Sequence, residues 1–190
     1  MKDMHVPIQH VIGTAALIGL VISAGLAYNI ISSSIQNDII ENQLQQVSEV
    51  VALNIVEIVN LANFANFGNL TRNDTMARTV DLPLDVSGKA YAVQLMYANS
   101  QDQGYNVTSY LVADRNTVAS SLIPINSNAG LVQLVTAVTS PPTMYSVDGG
   151  EATVTASSVV YGGSNSTVVW AWRGEGNTTI AGLGRIAFSG

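Results

Sequence analysis

Few side chains in this sequence could carry out catalysis or hold a metal ion. The chain of 190 residues has no cysteine, and its two histidines, His5 and His10, leave everything after them without an imidazole for acid–base chemistry. Patterns typical of a nucleophilic serine or of a phosphate-binding loop do not occur. We therefore expect a protein that is not an enzyme and that uses neither a cofactor nor a metal.

The acidic residues after residue 68 are scattered rather than paired. They are Asp74, Asp81, Asp85, Asp102, Asp114, Asp148, Glu151 and Glu175. No two stand at a spacing that implies shared acid–base catalysis. Asp81 and Asp85 come nearest to a calcium loop, but the segment between them lacks the further oxygen ligands of such loops. Asp148-Gly-Gly150 is typical of a solvated turn.

Trp170 and Trp172 are two residues apart, which places both rings on one face of a strand. Such a pair either packs in a sheet core or forms a platform for sugars. We favour packing.

Asn-x-Ser/Thr sequons, the acceptors of asparagine-linked glycans, occur only in the second part of the chain. They begin at Asn69, Asn73, Asn106, Asn165 and Asn177. All lie in predicted loops or at strand ends, where a glycan would be exposed. Given export, we expect glycans on this region.

The N-terminal part of the chain has the pattern of one long helix. No Asp, Glu, Lys or Arg occurs between Asp3 and Asp38, and the apolar run Val11–Ile31 is long enough to cross about 30 Å of hydrocarbon. A cleaved secretory signal is the alternative. Because the apolar run exceeds the usual 7–15 residues of such signals, we expect the helix to be retained.

Small residues recur within this apolar run. Ala15, Gly19, Ser23 and Ala27 follow one another at intervals of four residues, and Gly13 lies elsewhere on the helix surface. Small side chains let membrane helices approach closely, although Gly and Ala are also common in such helices without that role. We expect a role in helix packing.

The helical pattern continues beyond the apolar run as an amphipathic segment. Apolar residues recur at spacings of three and four, at Leu44, Val47, Val51, Ile55, Ile58 and Ala62. Gly68 is the predicted stop. This apolar stripe needs a partner, and the sequence allows the protein's own domain, a membrane or neighbouring copies.

Short strand patterns follow, separated by turn residues. Strands are predicted at 89–97, 105–113, 143–147, 152–161, 167–172 and 178–188, whereas 131–138 fits a strand or a short helix. We predict an α+β fold: a long hydrophobic helix in residues 1–67 and an antiparallel β-sandwich or barrel-like head domain in residues 68–190.

The composition limits the partners. Charged residues make up 11% of the chain, against about 25% in typical proteins, and the net charge is -6. With no basic cluster, nucleic acid is excluded as an expected partner. A hydrophobic content of 47% indicates a folded chain.

An uncharged N-terminal helix, an amphipathic continuation and a β-rich head together resemble an archaeal type IV pilin or archaellin. The apolar run Val11–Ile22, with Pro7 just upstream, is similar to the start of mature subunits in that superfamily. Prepilins usually carry a basic leader that ends in Lys or Arg followed by a small residue, whereas only Met1-Lys-Asp-Met-His5 precedes this apolar run. The sequence lacks the glutamate found near the helix start in bacterial members, as archaeal members do.

The resemblance implies a structural subunit of an extracellular filament. In that family the helix lies in the membrane before assembly, meets the pilus assembly machinery, and then packs with copies of itself in the filament core. The head would serve adhesion or surface contact. The alternative is a monomeric, signal-anchored extracellular recognition or binding domain.

Overall fold

The computed structural model describes residues 5–64, 75–98, 104–125, 132–137, 144–147, 152–173 and 178–188. Within them the chain forms one long helix followed by antiparallel sheets, so the predicted α+β class is confirmed. The predicted stop at Gly68 lies outside the described residues.

Helix α1 spans His5–Phe64. Packing divides the chain within this helix, into a unit Met1–Ile39 and a compact unit Ile40–Gly190. The predicted division into residues 1–67 and 68–190 follows the change of sequence pattern and stays a prediction. What the packing adds is that residues from Ile40 onward belong to the same compact unit as the strands.

The amphipathic stripe of α1 forms part of the main hydrophobic core of that unit. Leu44, Val51 and Ile55 are at most 1% exposed. The other predicted members of the stripe, Val47, Ile58 and Ala62, are buried in the same core. Burying one such Leu or Ile side chain contributes roughly 1.5–3 kcal/mol before entropic costs. Of the partners that the sequence allowed, the stripe packs against its own β domain.

The strands of the described residues are short. In chain order they are β1 Met76–Thr79, β2 Tyr91–Tyr97, β3 Tyr105–Leu111, β4 Val118–Ile123, β5 Val132–Leu134, β6 Met144–Val147, β7 Ala152–Ser157, β8 Val159–Tyr161, β9 Thr167–Arg173 and β10 Thr179–Phe188. Strands occur in every segment predicted to contain one, but the single strand predicted at 152–161 is divided into β7 and β8, which lie in different sheets. β1 and β4 were not predicted. The ambiguous 131–138 segment contains a strand rather than a helix.

One sheet has four strands, in the order β4-β3-β2-β8. Its strands are antiparallel, with Val93 opposite Ser109 on β3 and opposite Val160 on β8. Alternate residues of β3 are buried, beginning with Val107, so one face of this sheet lies on the core and the other faces outward.

The second sheet has six strands, in the order β1-β9-β10-β7-β6, with β5 pairing in parallel with the start of β10. Val169 of β9 lies in the core shared with α1, whereas Trp170 lies in a smaller cluster on the opposite face. The Trp170 indole packs beside Gly182 and Gly184 of β10. A side chain at position 184 would stand 2.7 Å from the carbonyl oxygen of Thr155 and 3.1 Å from the indole. Only glycine leaves room there.

Candidate assembly surface

The N-terminal unit presents an apolar helix surface. None of the described side chains from His10 to Ile39 is buried, and residues such as Val11, Leu20 and Ile30 are each more than 65% exposed. Among the described residues, α1 is long and apolar enough to cross a membrane, and its most apolar stretch is wholly unburied. The helix is therefore compatible with membrane insertion.

Two hydroxyl groups of the apolar run are satisfied within the helix. Thr14 Oγ1 donates a 2.8 Å hydrogen bond to the carbonyl oxygen of His10, and Ser23 Oγ donates one of 2.8 Å to that of Gly19. A hydroxyl that bonds its own backbone needs no water, so these polar residues are tolerated in hydrocarbon or against another helix.

The glycines of this segment have no function within the described fold. A side chain at Gly13 or Gly19 would meet nothing within 4 Å. A glycine in a helix interior costs about 1 kcal/mol of helix stability relative to alanine. Ala15, Ser23 and Ala27 are also exposed. The small surface that they form with Gly19 is therefore exposed and open to another helix.

Farther along α1, a second apolar surface lies on the side turned away from the core. Val50 is 47% exposed, Leu53 65% and Leu61 50%. We call these three residues the outer stripe. Glu57 lies between the last two and forms an ion pair with Arg78 of β1. A water-facing helix surface is normally polar, so the outer stripe is the feature of this helix that its own fold does not explain.

The outer stripe was missed in the sequence. Its residues stand three and eight apart, a spacing that the helical period could have revealed. The amphipathic stripe from Leu44 to Ala62 made it hard to detect, because apolar residues on two sides of one helix weaken the contrast in hydropathy between its faces.

A groove of about 480 Å³ lies beside this surface, between α1 and the loop that follows β1. Gln46, Val50 and Asp85 are among its lining residues. The Asp85 carboxylate has a partner in its own turn, because its Oδ1 accepts a 2.8 Å hydrogen bond from the Gly88 amide. In the described part of the chain, no three His, Asp or Glu side chains lie close enough together to hold a metal ion.

The remaining described carboxylates have structural surroundings. Asp114 accepts hydrogen bonds from the Asn116 amide and the Thr117 hydroxyl, which fixes the turn before β4. Asp81 lines the groove. The other candidates, Asp74, Asp102, Asp148, Glu151 and Glu175, lie outside the described residues.

Tyr91 is the described residue whose acidity the fold changes most. The ring is 1% exposed, and its hydroxyl donates a 2.9 Å hydrogen bond to the carbonyl oxygen of Pro83. Burial, together with the negative charge of Asp85, raises the pKa of Tyr91 to about 12. The phenol thus stays protonated and structural at neutral pH.

The two tryptophans differ in how far they are buried. Trp170 is fully buried, and its Nε1 donates a 2.8 Å hydrogen bond to the carbonyl oxygen of Leu183, whereas Trp172 is half-buried. Trp170 therefore packs in the sheet, as predicted, and cannot present a platform to a sugar.

Two sequons fall within the described residues. Asn106 lies on the outward face of β3, opposite Met96 and Leu122, which are 45% and 61% exposed. Asn165 is exposed in the turn between β8 and β9. Asn106 itself is half-buried. Asn69, Asn73 and Asn177 lie outside the described residues, and glycosylation at every sequon stays a prediction.

Comparison with protein-family models, curated proteins and solved structures found no match. The chain has a long N-terminal apolar helix followed by a β-sheet domain, a layout consistent with that of a pilin.

Proposed function

We propose that this chain is a structural subunit of an extracellular, archaeal type IV pilus-like filament. Its partner is itself. In this proposal the apolar part of α1 lies in the membrane before assembly and packs against other copies in the filament core afterwards. The β domain forms the outer surface of the filament and makes contact with other cells or surfaces.

The outer stripe is the observation that carries this proposal. Leu53 and Leu61 expose half or more of their surface on a helix segment that already packs into the β domain. Because these leucines are already partly covered, burying the rest of each contributes roughly 1–2 kcal/mol. Neighbouring α1 helices would cover this surface, and a contact between unlike surfaces of identical subunits propagates into a helical polymer.

The N-terminal unit supports the same proposal independently. The exposed glycines lower the stability of the helix without a contact that needs them, and close packing of helices from other copies supplies such a contact. The internally bonded hydroxyls of Thr14 and Ser23 allow one segment to serve in the membrane and later in a dry filament core.

The alternative function is a monomeric recognition domain held by a membrane anchor. The exposed apolar stretch of α1 suits an anchor equally well. An anchor, however, needs apolar side chains only within the membrane. Val50, Leu53 and Leu61 follow the charged residues Asp38 and Glu41, so their exposure favours the polymer.

For the β domain we propose a glycosylated surface without catalytic activity. It would carry glycans at the exposed sequons, bind no nucleic acid and need no cofactor. The pilus assembly machinery would be a transient partner of the membrane-inserted subunit.

The test is to express Leu53→Gln in the producing cell and to count filaments sheared from the surface by electron microscopy. We expect normal membrane insertion and a filament yield reduced about tenfold or more, because every subunit contact loses the same apolar group. Glu49→Gln is the matched control, an exposed change on the same helix that should leave the yield unaltered. Filaments containing Leu53→Gln at normal yield would exclude the outer stripe as an assembly contact. No filaments containing the wild-type chain would support the anchored monomer.

A further inference from the structure

The edges of the two sheets differ in how they are protected. In the described residues the edge strands are β1, β4, β5, β6 and β8. β1 and β6 have four residues each, β5 and β8 have three, and β1 carries the charged Arg78. β4, Val118–Ile123, has six residues with neither charge nor proline. Long, uncharged edges are the ones that pair with another strand.

The backbone of β4 has a free side. The Leu111 amide donates to the carbonyl oxygen of Thr117, and from there the register places Ala119 opposite Ser109. In an antiparallel pair the hydrogen-bonding groups of alternate residues point to the partner strand. The backbone N–H and C=O groups of Ala119 and Ser121 thus point to β3. The backbone groups of Val118, Ser120 and Leu122 point away from β3, and no described residue forms a hydrogen bond with them.

We infer that β4 pairs with β4 of a second copy of this chain, antiparallel, about a twofold axis at Ser120. In this register Ser120 lies opposite Ser120 of the second copy, and Val118 lies opposite Leu122. All three residues turn their free backbone groups to the new partner, so the bonds form without a change in either strand.

The exposed side chains of β4 favour a second copy of this chain as the partner strand. Val118 and Leu122 are 46% and 61% exposed and lie at equal distances from Ser120, so the twofold register pairs each apolar side chain with another. Aliphatic pairs and serine pairs across strands are favourable, and no like charges meet. A contact that uses the same surface on both copies is the commonest kind in homo-oligomers.

The geometry has a consequence that rests on the proposed filament. Neighbouring subunits of one helical filament are related by a rotation combined with a translation, whereas the β4 pair has pure twofold symmetry. Pairing through β4 therefore joins subunits of two filaments. One contact is small, but it recurs wherever subunits of the two filaments face each other, so the sum holds them side by side.

The test uses single-cysteine variants, since the full chain has no cysteine of its own. Full-length Ser120→Cys is treated with a short thiol–thiol cross-linker, and covalent dimers are measured by gel electrophoresis. In the paired register the two Cα atoms at position 120 lie about 5.5 Å apart. Asn116→Cys is the control: it is exposed on the same copy but lies four residues from the axis, so its two copies stand about 27 Å apart.

We expect about tenfold more dimer from Ser120→Cys than from Asn116→Cys, because only the paired register brings two thiols within reach. A mixture of Val118→Cys and Leu122→Cys chains should form mixed dimers in preference to either homodimer. Equal dimer yields at 116 and 120 overturn the inference. So does a thiol at position 120 that a monofunctional maleimide cannot reach, since the edge is then covered within its own chain.

Filament formation is scored separately by electron microscopy. Ser120→Lys places two like charges at the axis and should separate bundles into single filaments without lowering the filament number. Single filaments of the wild-type chain without cross-links overturn β4 pairing alone. Cross-links at Ser120→Cys without filaments overturn the filament and leave β4 pairing standing.

Discussion

The hydroxyl of Ser48 donates a 2.8 Å hydrogen bond to the hydroxyl of Ser109, and both side chains are fully buried. Ser48 lies on α1 and Ser109 on the core face of β3, 61 residues later in the chain. A buried polar pair of this kind joins helix and sheet in one arrangement, because sliding either element leaves two unsatisfied hydroxyls. The C-terminal half of α1 is thus a structural part of the β domain.

This relationship predicts where the chain can be shortened. A fragment of residues 38–190 should fold as a soluble domain, because it keeps Leu44, Ser48 and Ile55 in the core. A fragment of residues 69–190 should fail to give a cooperative thermal transition, since its sheets lose the helix that covers them. Circular dichroism with thermal melting measures both, and equal melting temperatures for the two fragments would contradict the packing described.

We predict that substitutions of Ser48 and Ser109 have non-additive effects on the free energy of unfolding. In the 38–190 fragment, Ser48→Ala should lower the free energy of unfolding by about 1–3 kcal/mol, because it leaves the buried Ser109 hydroxyl without its partner. Ser109→Ala should cost less, because the Ser48 hydroxyl can still donate to the carbonyl oxygen of Ala119, 3.4 Å away. The double variant should lose clearly less than the sum of the two. Urea unfolding measures all four proteins, and additive losses would mean that the hydrogen bond contributes little.

Tyr91 predicts a loss of stability in alkali. Its pKa is raised from 10.0 to about 12 in the folded protein, so the unfolded chain gives up the proton first. The stabilisation is complete below pH 10 and is lost as pH rises toward 12, by roughly 2 kcal/mol. Tyr91→Phe should reduce this fall, and it leaves the Pro83 carbonyl bonded to the Gly163 amide. The same alkaline slope in both proteins would assign the loss to other groups.

We predict that enlarging Gly19 impairs filament assembly without impairing membrane insertion. A Cβ atom at this position would meet nothing within 4 Å, and leucine is apolar, so Gly19→Leu should insert into the membrane normally. If helices of other copies pack closely there, the larger side chain forces them apart and filament yield falls severalfold. Membrane fractionation and counting of sheared filaments separate the two effects. Gly19→Ala is the conservative control, with a smaller loss expected; full yield with leucine would exclude close packing at this glycine.

Asn106 predicts a glycan on the outward face of the four-stranded sheet. Mass spectrometry of the chain from its producing cells should show one glycan fewer in Asn106→Gln. Thr108→Ser keeps the sequon and should keep the glycan, which separates modification from any effect on β3. An unchanged mass in Asn106→Gln would mean that this sequon carries no glycan.

The amino-acid sequence by itself determined the local structure. Hydropathy alone identifies the uncharged segment between Asp3 and Asp38 as an apolar helix. The helical period alone identifies the amphipathic stripe from Leu44 to Ala62. Most strands could be located for the same reason, since β-rich runs and turn residues act within a few positions. β1 and β4 were missed, and the break between β7 and β8 was not foreseen.

Only the tertiary structure decided how these segments meet. That the stripe through Leu44 and Ile55 packs on its own sheets, rather than on a membrane or a neighbour, depends on residues far away in the chain. The Ser48–Ser109 pair and the free side of β4 arise from strand order and register, which local propensity does not encode. The outer stripe became visible once the core side of α1 was fixed, because exposure is defined only by what covers the other face.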